Sequence, residues 1–537
     1  MEGSSVIRVY HGSCLSSPQL FPGVNDPQGD FWVLGTMDFF TNLMTGLSVT
    51  FQPVNLFYCF LGVFLGTLVG VLPGLGPAGA MSILLPLTFK MPAATAIIMM
   101  AGIYYGAMYG GSTTSILINI PGEAASVVTT IDGHQMALKG RAGPALGIAA
   151  FGSFIAGTLG IVGLQLLSPP LVSVALRFGP PEYFSLMILG LVILTYLTQK
   201  SIMKALLMAA VGILLGMVGL DNITGKPRFT LGIPKFMDGV GLIPLIMGLL
   251  GVSEVLINVE KILDRQVTQT PITHLLPSLR DWGQSKWAIV RGSVIGFCLG
   301  ILPGGGAILA SFVAYAVERR VSRQPERFGK GAIEGVAAPE SANNSAASGA
   351  FIPLLTLGIP SNVLMAILIG ALMIHGINPG PMLMKEHPDV FWGVIGSMYV
   401  GNIMLLALNL PLIGLWVQIL RIPHAVLFPL VLLFCVIGAY SENYSIIDVA
   451  MMLFFGVLGY LMRKFEYEPA PLVLAFILGP LIETALRQSL IMSDGGFLIF
   501  LTRPISAGCL FTAFALLLTS FIPSLMRQRE LVVEEDA

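Results

Sequence analysis

The sequence predicts an all-α polytopic membrane protein made of two homologous halves, and three observations carry that expectation. The first is composition. Of 537 residues, 55% are hydrophobic and 11% charged, against about 25% charged in an average soluble chain, and the mean hydropathy is +0.83. The second is run length. Residues 54–122 hold a single charged side chain, Lys90, and residues 341–384 hold none. A helix of about 20 apolar residues crosses a hydrocarbon core, and runs of that size recur along the chain. The third is self-similarity. GTLVGVLPGLGPAGA at 66–80 returns as GFCLGILPGGGAILA at 296–310, so Pro and Gly interrupt an apolar run at the same place twice.

Taken in order, residues 1–36 differ from everything after Met37. They are polar and rich in Gly, Ser and Pro, without the cationic start and apolar centre of a signal peptide. They read as a disordered extension or an artefact of start-codon choice. Residues 37–257 form the first transmembrane repeat, 258–285 a hydrophilic linker, 286–525 the second repeat and 526–537 a short polar tail. About ten to twelve membrane-crossing segments are expected from the run lengths. Gly62, Gly66, Gly70 and Gly74 correspond to Gly292, Gly296, Gly300 and Gly304 at an offset of 230, as Pro73 does to Pro303. Ile120-Pro121 corresponds to Ile359-Pro360 at 239, the extra residues falling near the basic loop ERRVSRQPERFGK at 318–330. At 244, Gly152-Ser153 matches Gly396-Ser397, and Gly157, Arg177, Tyr196, Ser201 and Gly212 match Gly401, Arg421, Tyr440, Ser445 and Gly456. Frequent glycine in membrane helices explains some of the glycine matches; it does not explain the Arg, Tyr and Ser ones. Internal repeats of this size are a signature of secondary transporters. The second half has Arg319, Arg320, Arg323, Arg327 and Lys330 where the first has Lys90 alone. Basic loops stay in the cytoplasm, so the halves are expected to be inverted.

Each half is broken twice, at LPGLGP (72–77) and NIPGE (119–123), then at LPGGG (302–306) and GIPSN (358–362). Pro ends the hydrogen-bond ladder and Gly lets the backbone turn. Lipid cannot satisfy the freed backbone groups, so such broken helices belong at the centre, against protein or a watery cavity. A helix restarting there presents free N–H groups and a positive dipole end, a site for an anion. The candidate substrate-binding residues are therefore Gly74, Gly76, Ser112, Thr113, Thr114, Asn119 and Gly122 in the first half. In the second they are Gly304, Gly306, Asn343, Asn344, Thr356, Ser361 and Asn362. For the serines and threonines, interhelical packing is the competing role; Asn343 and Asn344 are the stronger candidates, because amides are costly to place in a membrane. Carbonyls freed near Pro73, Pro121, Pro303 and Pro360 could hold Na⁺. Glu123, Asp132, Glu334 and Glu340 flank the breaks, and two roles are open to each, cation ligand or exposed loop-end charge. His134 and His375 read as structural, and Arg177 and Arg421 as interfacial anchors.

No catalytic residues are expected. The phosphate-loop pattern is absent, since TGKPRF at 224–229 has Pro where Ser or Thr is required. The HExxH and GxSxG patterns are absent too. Secondary transport is the reading the residues support; the alternative is an intramembrane enzyme acting on an anionic lipid or a small molecule.

GTLVGVLPGLGP, GSTTSILINIPGE, GVAAPESANNSAASGAFIPLLTLGIPSN and HGINPGP together resemble the large membrane subunit, TctA, of the bacterial tripartite tricarboxylate transporters. The similarity runs from about Met37 to the C-terminal region. It implies a permease subunit in the inner membrane, a small TctB-like membrane subunit and a periplasmic TctC-like solute-binding protein. It also implies uptake of organic carboxylates, citrate-like tricarboxylates or dicarboxylates, by symport with Na⁺ or H⁺. Two departures, LPGGGA for LPGLGP and IPSN for IPG, bear on substrate choice.

Overall fold

The computed structural model describes residues 30–72, 76–196, 201–221, 223–260, 275–304, 306–419 and 424–519. The chain divides into two units, the second running from Asn42 onward, and the features below belong to it. Most of the expected 1–36 extension lies outside the described residues; a helix, Asp30–Thr50, starts ahead of the compositional boundary at Met37. The middle of the expected linker, 261–274, also lies outside them. Its end is ordered, because Ser278 caps Leu279–Ile301 in a capping box with Asp281.

Among the described residues the fold is helical apart from a two-residue ribbon, Gly219–Leu220 with Pro227–Arg228. Seven helices are long and apolar enough to cross a membrane, and five shorter apolar helices accompany them. An all-α polytopic membrane protein is what the sequence predicts.

The core of each half is a pair of parallel helices at glycine distance. In the first, Pro53–Val71 packs on Ala93–Ile118. A Cβ added at Gly62, Gly66 or Gly70 would lie 2.3, 2.4 or 2.3 Å from the carbonyl oxygens of Met99, Ile103 and Ala107. In the second, Leu279–Ile301 packs on Glu334–Gly349. There the added Cβ at Gly292, Gly296 or Gly300 would lie 2.4, 2.2 or 2.3 Å from the oxygens of Ala338, Ala342 and Ala346. Both offsets read from the sequence, 230 and 239, thus recur as the register of these contacts. Backbone lies on backbone, the approach that small residues allow where apolar side chains gain nothing over lipid. Because partners rise together in number, the two helices of a pair run the same way. The chain must therefore turn back between them, through Pro77–Leu84 in one half and Gly306–Val321 in the other.

The second break of each half follows its second helix. Asn119 ends Ala93–Ile118 in the left-handed conformation, φ 57°, which Asn tolerates better than most residues. In the second half Pro353 cannot donate to the carbonyl of Gly349, and the helix is interrupted between Gly349 and Phe351. Phe351–Leu357 then ends on Gly358 at φ 71°. The Gly358 N–H bonds back to the Leu354 oxygen at 3.1 Å, the αL closure.

Gly66→Val and Gly296→Val are each expected to force the paired backbones apart. Overpacking costs about 1–3 kcal/mol where side chains alone can move, and here a carbonyl stands in the way. Size-exclusion profiles of fluorescently tagged protein should show loss of the monodisperse peak. Gly283→Ala, on the same helix but facing open space, should leave it unchanged.

Candidate functional site

The two halves meet through polar side chains in a region that the sequence leaves almost without charge. Ser112 Oγ donates to Glu340 Oε2 at 2.5 Å, and Thr129 Oγ1 to Glu340 Oε1 at 2.5 Å. Asn343 Nδ2 donates to Glu123 Oε1 at 3.1 Å and lies 3.5 Å from the Met108 oxygen. Along Ala93–Ile118 the contacts move from 112 to 108 while along Glu334–Gly349 they move from 340 to 343, so these helices cross antiparallel. The same sense holds for Ala142–Ala175 and Pro388–Asn409, joined by Asn402 to the Phe154 oxygen (2.9 Å) and by Tyr399 to Gln165 (3.0 Å).

The contacts are also reciprocal. Tyr105 Oη donates to the Ser397 oxygen (3.3 Å) and Asn344 Nδ2 to Ser153 Oγ (2.7 Å); Asn344 is the counterpart of Tyr105, and Ser397 of Ser153. Asn362 Nδ2 reaches Tyr104 Oη at 3.4 Å, while their counterparts, Glu123 and Asn343, pair as described. Asn402 Nδ2 donates to Thr158 Oγ1 at 3.0 Å, and these two are each other's counterparts at an offset of 244. Such a pattern is that of two like bodies facing each other across a two-fold relation.

The four restarting helices differ in what they offer an anion. Those after the second breaks cap themselves. Glu123 Oε2 accepts from the Ala125 N–H at 2.5 Å, and Asn362 Oδ1 from the Met365 N–H at 3.0 Å. Those after the first breaks start at glycine. Gly76, at φ 43°, precedes Pro77–Leu84 without a side-chain cap bond, and Gly306, at φ 51°, opens Gly306–Val321. A Cβ at either would meet nothing within 4 Å. These two positions, counterparts at 230, front open space at a helix start, where the first N–H groups of a helix have no intrahelical partner.

The remaining candidates take other places. Gly74, with Pro73, lies outside the described residues. Gly122 is a packing residue: an added Cβ would sit against the Gly70 oxygen. The Gly304 N–H is spent on the Ser361 oxygen at 2.8 Å, tying the two breaks of the second half together. Thr114 and Thr356 bond backward to the Gly111 and Ile352 oxygens, and Ser361 Oγ reaches the Ala350 oxygen at 3.4 Å. Asn119 is exposed at its helix end. Ser112 and Thr113, with Tyr109, Ser153 and Asn409, line a cavity of about 10 Å³, room for one water.

Of the four acidic residues flanking the breaks, Glu123 and Glu340 are 6% and 1% exposed and lie inside the contact between halves. Asp132, also buried, accepts from the N–H groups of Gly331 and Ala332 (2.7 and 2.8 Å) and from Tyr315 (2.9 Å), a clasp across the halves. Glu334 pairs with Arg327 at 3.5 Å. His134 Nδ1 meets the Ile116 oxygen at 3.1 Å, and Arg421 lies outside the described residues. Sequence reasoning placed both glutamates beside the breaks and left their burial open. The signal it had was their position in the longest stretches almost free of charge. A larger cavity, about 290 Å³, lies elsewhere, by the ribbon. Its arginines are committed: Arg228 to Glu483 (2.7 Å) and Arg487 to Asp221 (2.8 Å).

An all-helical bundle with interrupted helices meeting between two like halves defines a membrane transport protein. The chain belongs to the tripartite tricarboxylate transporter TctA family, which matches residues 56–474. It is 50% identical over 501 residues, 93% of this chain and all of the relative, to an uncharacterized 52.8 kDa protein of the TAR-I ttuC' 3' region of Agrobacterium vitis. It is 50% identical over 241 residues, 45% of this chain and all of the relative, to an uncharacterized protein of the TAR-II ttuC' 3' region of the same organism. No solved structure matches the chain.

The pairing of counterparts predicts a specific cross-link. Thr158→Cys with Asn402→Cys, in a background lacking the native cysteines, is expected to give a disulfide under mild oxidation. Asn119→Cys with Asn402→Cys should give none. Both are read from the shift in gel mobility after cleavage in the 261–274 segment.

Proposed function

We propose that this membrane subunit of a tricarboxylate transporter is the permease of a binding-protein-dependent secondary transporter that imports organic carboxylates. The substrates are citrate-like tricarboxylates or dicarboxylates, and the driving force is an ion gradient, of Na⁺ in the first place and of H⁺ as the alternative. The setting is the bacterial inner membrane. The partners are a small TctB-like membrane subunit and a periplasmic TctC-like solute-binding protein. The single observation that carries the reading is the pair of helix starts at glycine, Gly76 and Gly306. A carboxylate needs donors, and in a stretch almost without cations the donors available are backbone N–H groups at helix ends.

The halves are read as an inverted repeat. The antiparallel crossing of counterpart helices and the reciprocal hydrogen bonds support it, and so does the excess of basic residues at 318–330. In this arrangement rocking or gating of one half against the other would expose the site to each side in turn.

Uptake of labelled citrate and of C4 dicarboxylates into proteoliposomes holding this chain, the small subunit and the loaded binding protein tests the reading. Gly76→Val and Gly306→Val are expected to lower uptake at least about tenfold, the effect of losing one or two charge-assisted hydrogen bonds, while protein yield is kept. Lys90→Ala should transport normally. Uptake unchanged in both valine variants would remove the helix-end site. Impermeant thiol labelling of Lys90→Cys and Ser322→Cys should come from opposite sides of the membrane; labelling from one side would refute inversion.

A further inference from the structure

The carboxylates of Glu123 and Glu340 are buried where the halves meet, and no Lys or Arg pairs with either among the described residues. Both are held by hydrogen-bond donors on every oxygen. Each of the four oxygens accepts a hydrogen bond: Glu340 from Ser112 and Thr129, Glu123 from the Ala125 N–H and from Asn343. An ionised carboxylate is acceptor only, and donors on both oxygens favour it over the protonated acid. A cation bound beside the pair would offset the negative charge that either carboxylate carries when ionised.

A second feature points to the same place. Asn343 is 1% exposed; one end of its amide is on Glu123, and the other end, Oδ1, is buried without any hydrogen-bond donor. Asn343 stands about one turn after Glu340 on the helix Glu334–Gly349, and its bond to Glu123 places its amide between the two carboxylate-bearing segments. Carboxylate, amide and hydroxyl oxygens are the ligand types a hard cation takes. Ionisable groups held in this way inside a membrane protein mark ion pathways.

We propose that Glu123, Glu340 and Asn343, with the hydroxyls of Ser112 and Thr129, bind the coupling cation, an alkali metal ion. The assignment rests on the secondary-transport reading above and names the ion site of that carrier. Ser112 and Thr129 come from the first half and Glu340 and Asn343 from the second, so the ion is held only when the halves are closed on each other. An arriving carboxylate meets two negative charges unless the cation is already there.

The test uses the purified full chain in detergent with sodium alone as the probe. Thermal unfolding is followed in NaCl and in choline chloride at equal ionic strength, alongside equilibrium binding of radioactive sodium. The wild type should bind sodium saturably, and sodium should raise its unfolding midpoint. Asn343→Ala and Ser112→Ala should raise the half-saturating sodium concentration about 10- to 100-fold, as loss of a ligand or of a group orienting one does. Glu340→Gln should bind none, and Lys90→Ala should match the wild type. If Glu340→Gln fails to fold, Asn343→Ala and Ser112→Ala, which keep both charges, decide the matter. Sodium binding unchanged in those two variants overturns the site, as does a stabilisation that follows pH and ignores sodium. Because no carboxylate is present, the outcome is separable from the function. Sodium binding lost in the variants, with no carboxylate uptake by any of them or by the wild type, would sink the carrier and leave the site.

Discussion

Everything in this fold follows from one constraint: a helix that stops inside a membrane must have its backbone satisfied by protein. The chain meets it by laying a second helix against the first at glycine distance. Carbonyl oxygens of Met99, Ile103 and Ala107 sit where Gly62, Gly66 and Gly70 have no side chains, and the arrangement recurs at Ala338, Ala342 and Ala346 against Gly292, Gly296 and Gly300. Pairs this close leave no gap for lipid at the interruption. They also fix the level at which each helix breaks, since the register cannot slip without a carbonyl meeting a Cβ. The breaks are thus held by packing far more than by the Pro and Gly that permit them.

Rigid pairs need something to hold them to each other, and here polar contacts do so. The packing between halves is lined by Ser, Thr, Asn and Tyr, whose bonds are directional and demand partners when water is absent. Asn402 with Thr158, Asn344 with Ser153 and Tyr105 with the Ser397 carbonyl each join one half to the other. An interface of this kind differs from the glycine-packed pairs inside each half. Its bonds can be exchanged for water or substrate groups if the halves separate, whereas the backbone contacts within a pair have no such replacement. The contacts between halves are thus polar side-chain bonds, and those within a half are backbone against backbone.

Much of this was legible from the residues. The offsets 230, 239 and 244 are matters of spelling, and they returned as contacts between atoms because a duplicated segment folds the same way twice. The positions of the four breaks were equally plain, Pro and Gly being strong punctuation in an apolar run. What the sequence hid was which groups were already occupied. Gly304 and Gly122 look like Gly306 and Gly76 on paper, yet one N–H is bonded to Ser361 and the other residue is wedged against Gly70. Self-capping by Glu123 and Asn362 could be suspected from their place just before a helix start, but the absence of a cap at Gly76 becomes informative only beside it. Burial was hidden as well. The sequence leaves Glu340 open between a cation ligand and an exposed loop-end charge, and only the crossing of Glu334–Gly349 with Ala93–Ile118 puts it beside Ser112.

If the proposed carboxylate import and cation site hold, the same crossing bears on how such a carrier would tolerate acids at its centre. A buried carboxylate without a partner costs several kcal/mol, and a second one nearby adds repulsion that a low-dielectric interior scarcely screens. Left alone, Glu123 and Glu340 would favour any motion that let water reach them, which means parting the halves. On the proposed reading, a bound alkali cation would cancel one of the two charges, weaken that tendency and lower the repulsion that a carboxylate meets near Gly76 and Gly306. Cation first and anion second is then the order of lowest energy, since an anion arriving alone would add a third negative charge. Closure with neither ligand leaves two charges unbalanced, and closure with the anion alone leaves still more. Closure with the cation and the anion together is favoured over closure with the anion alone by the full interaction between the two charges. Obligatory coupling in this picture needs no long-range signal. It follows from two acids placed where the halves must meet.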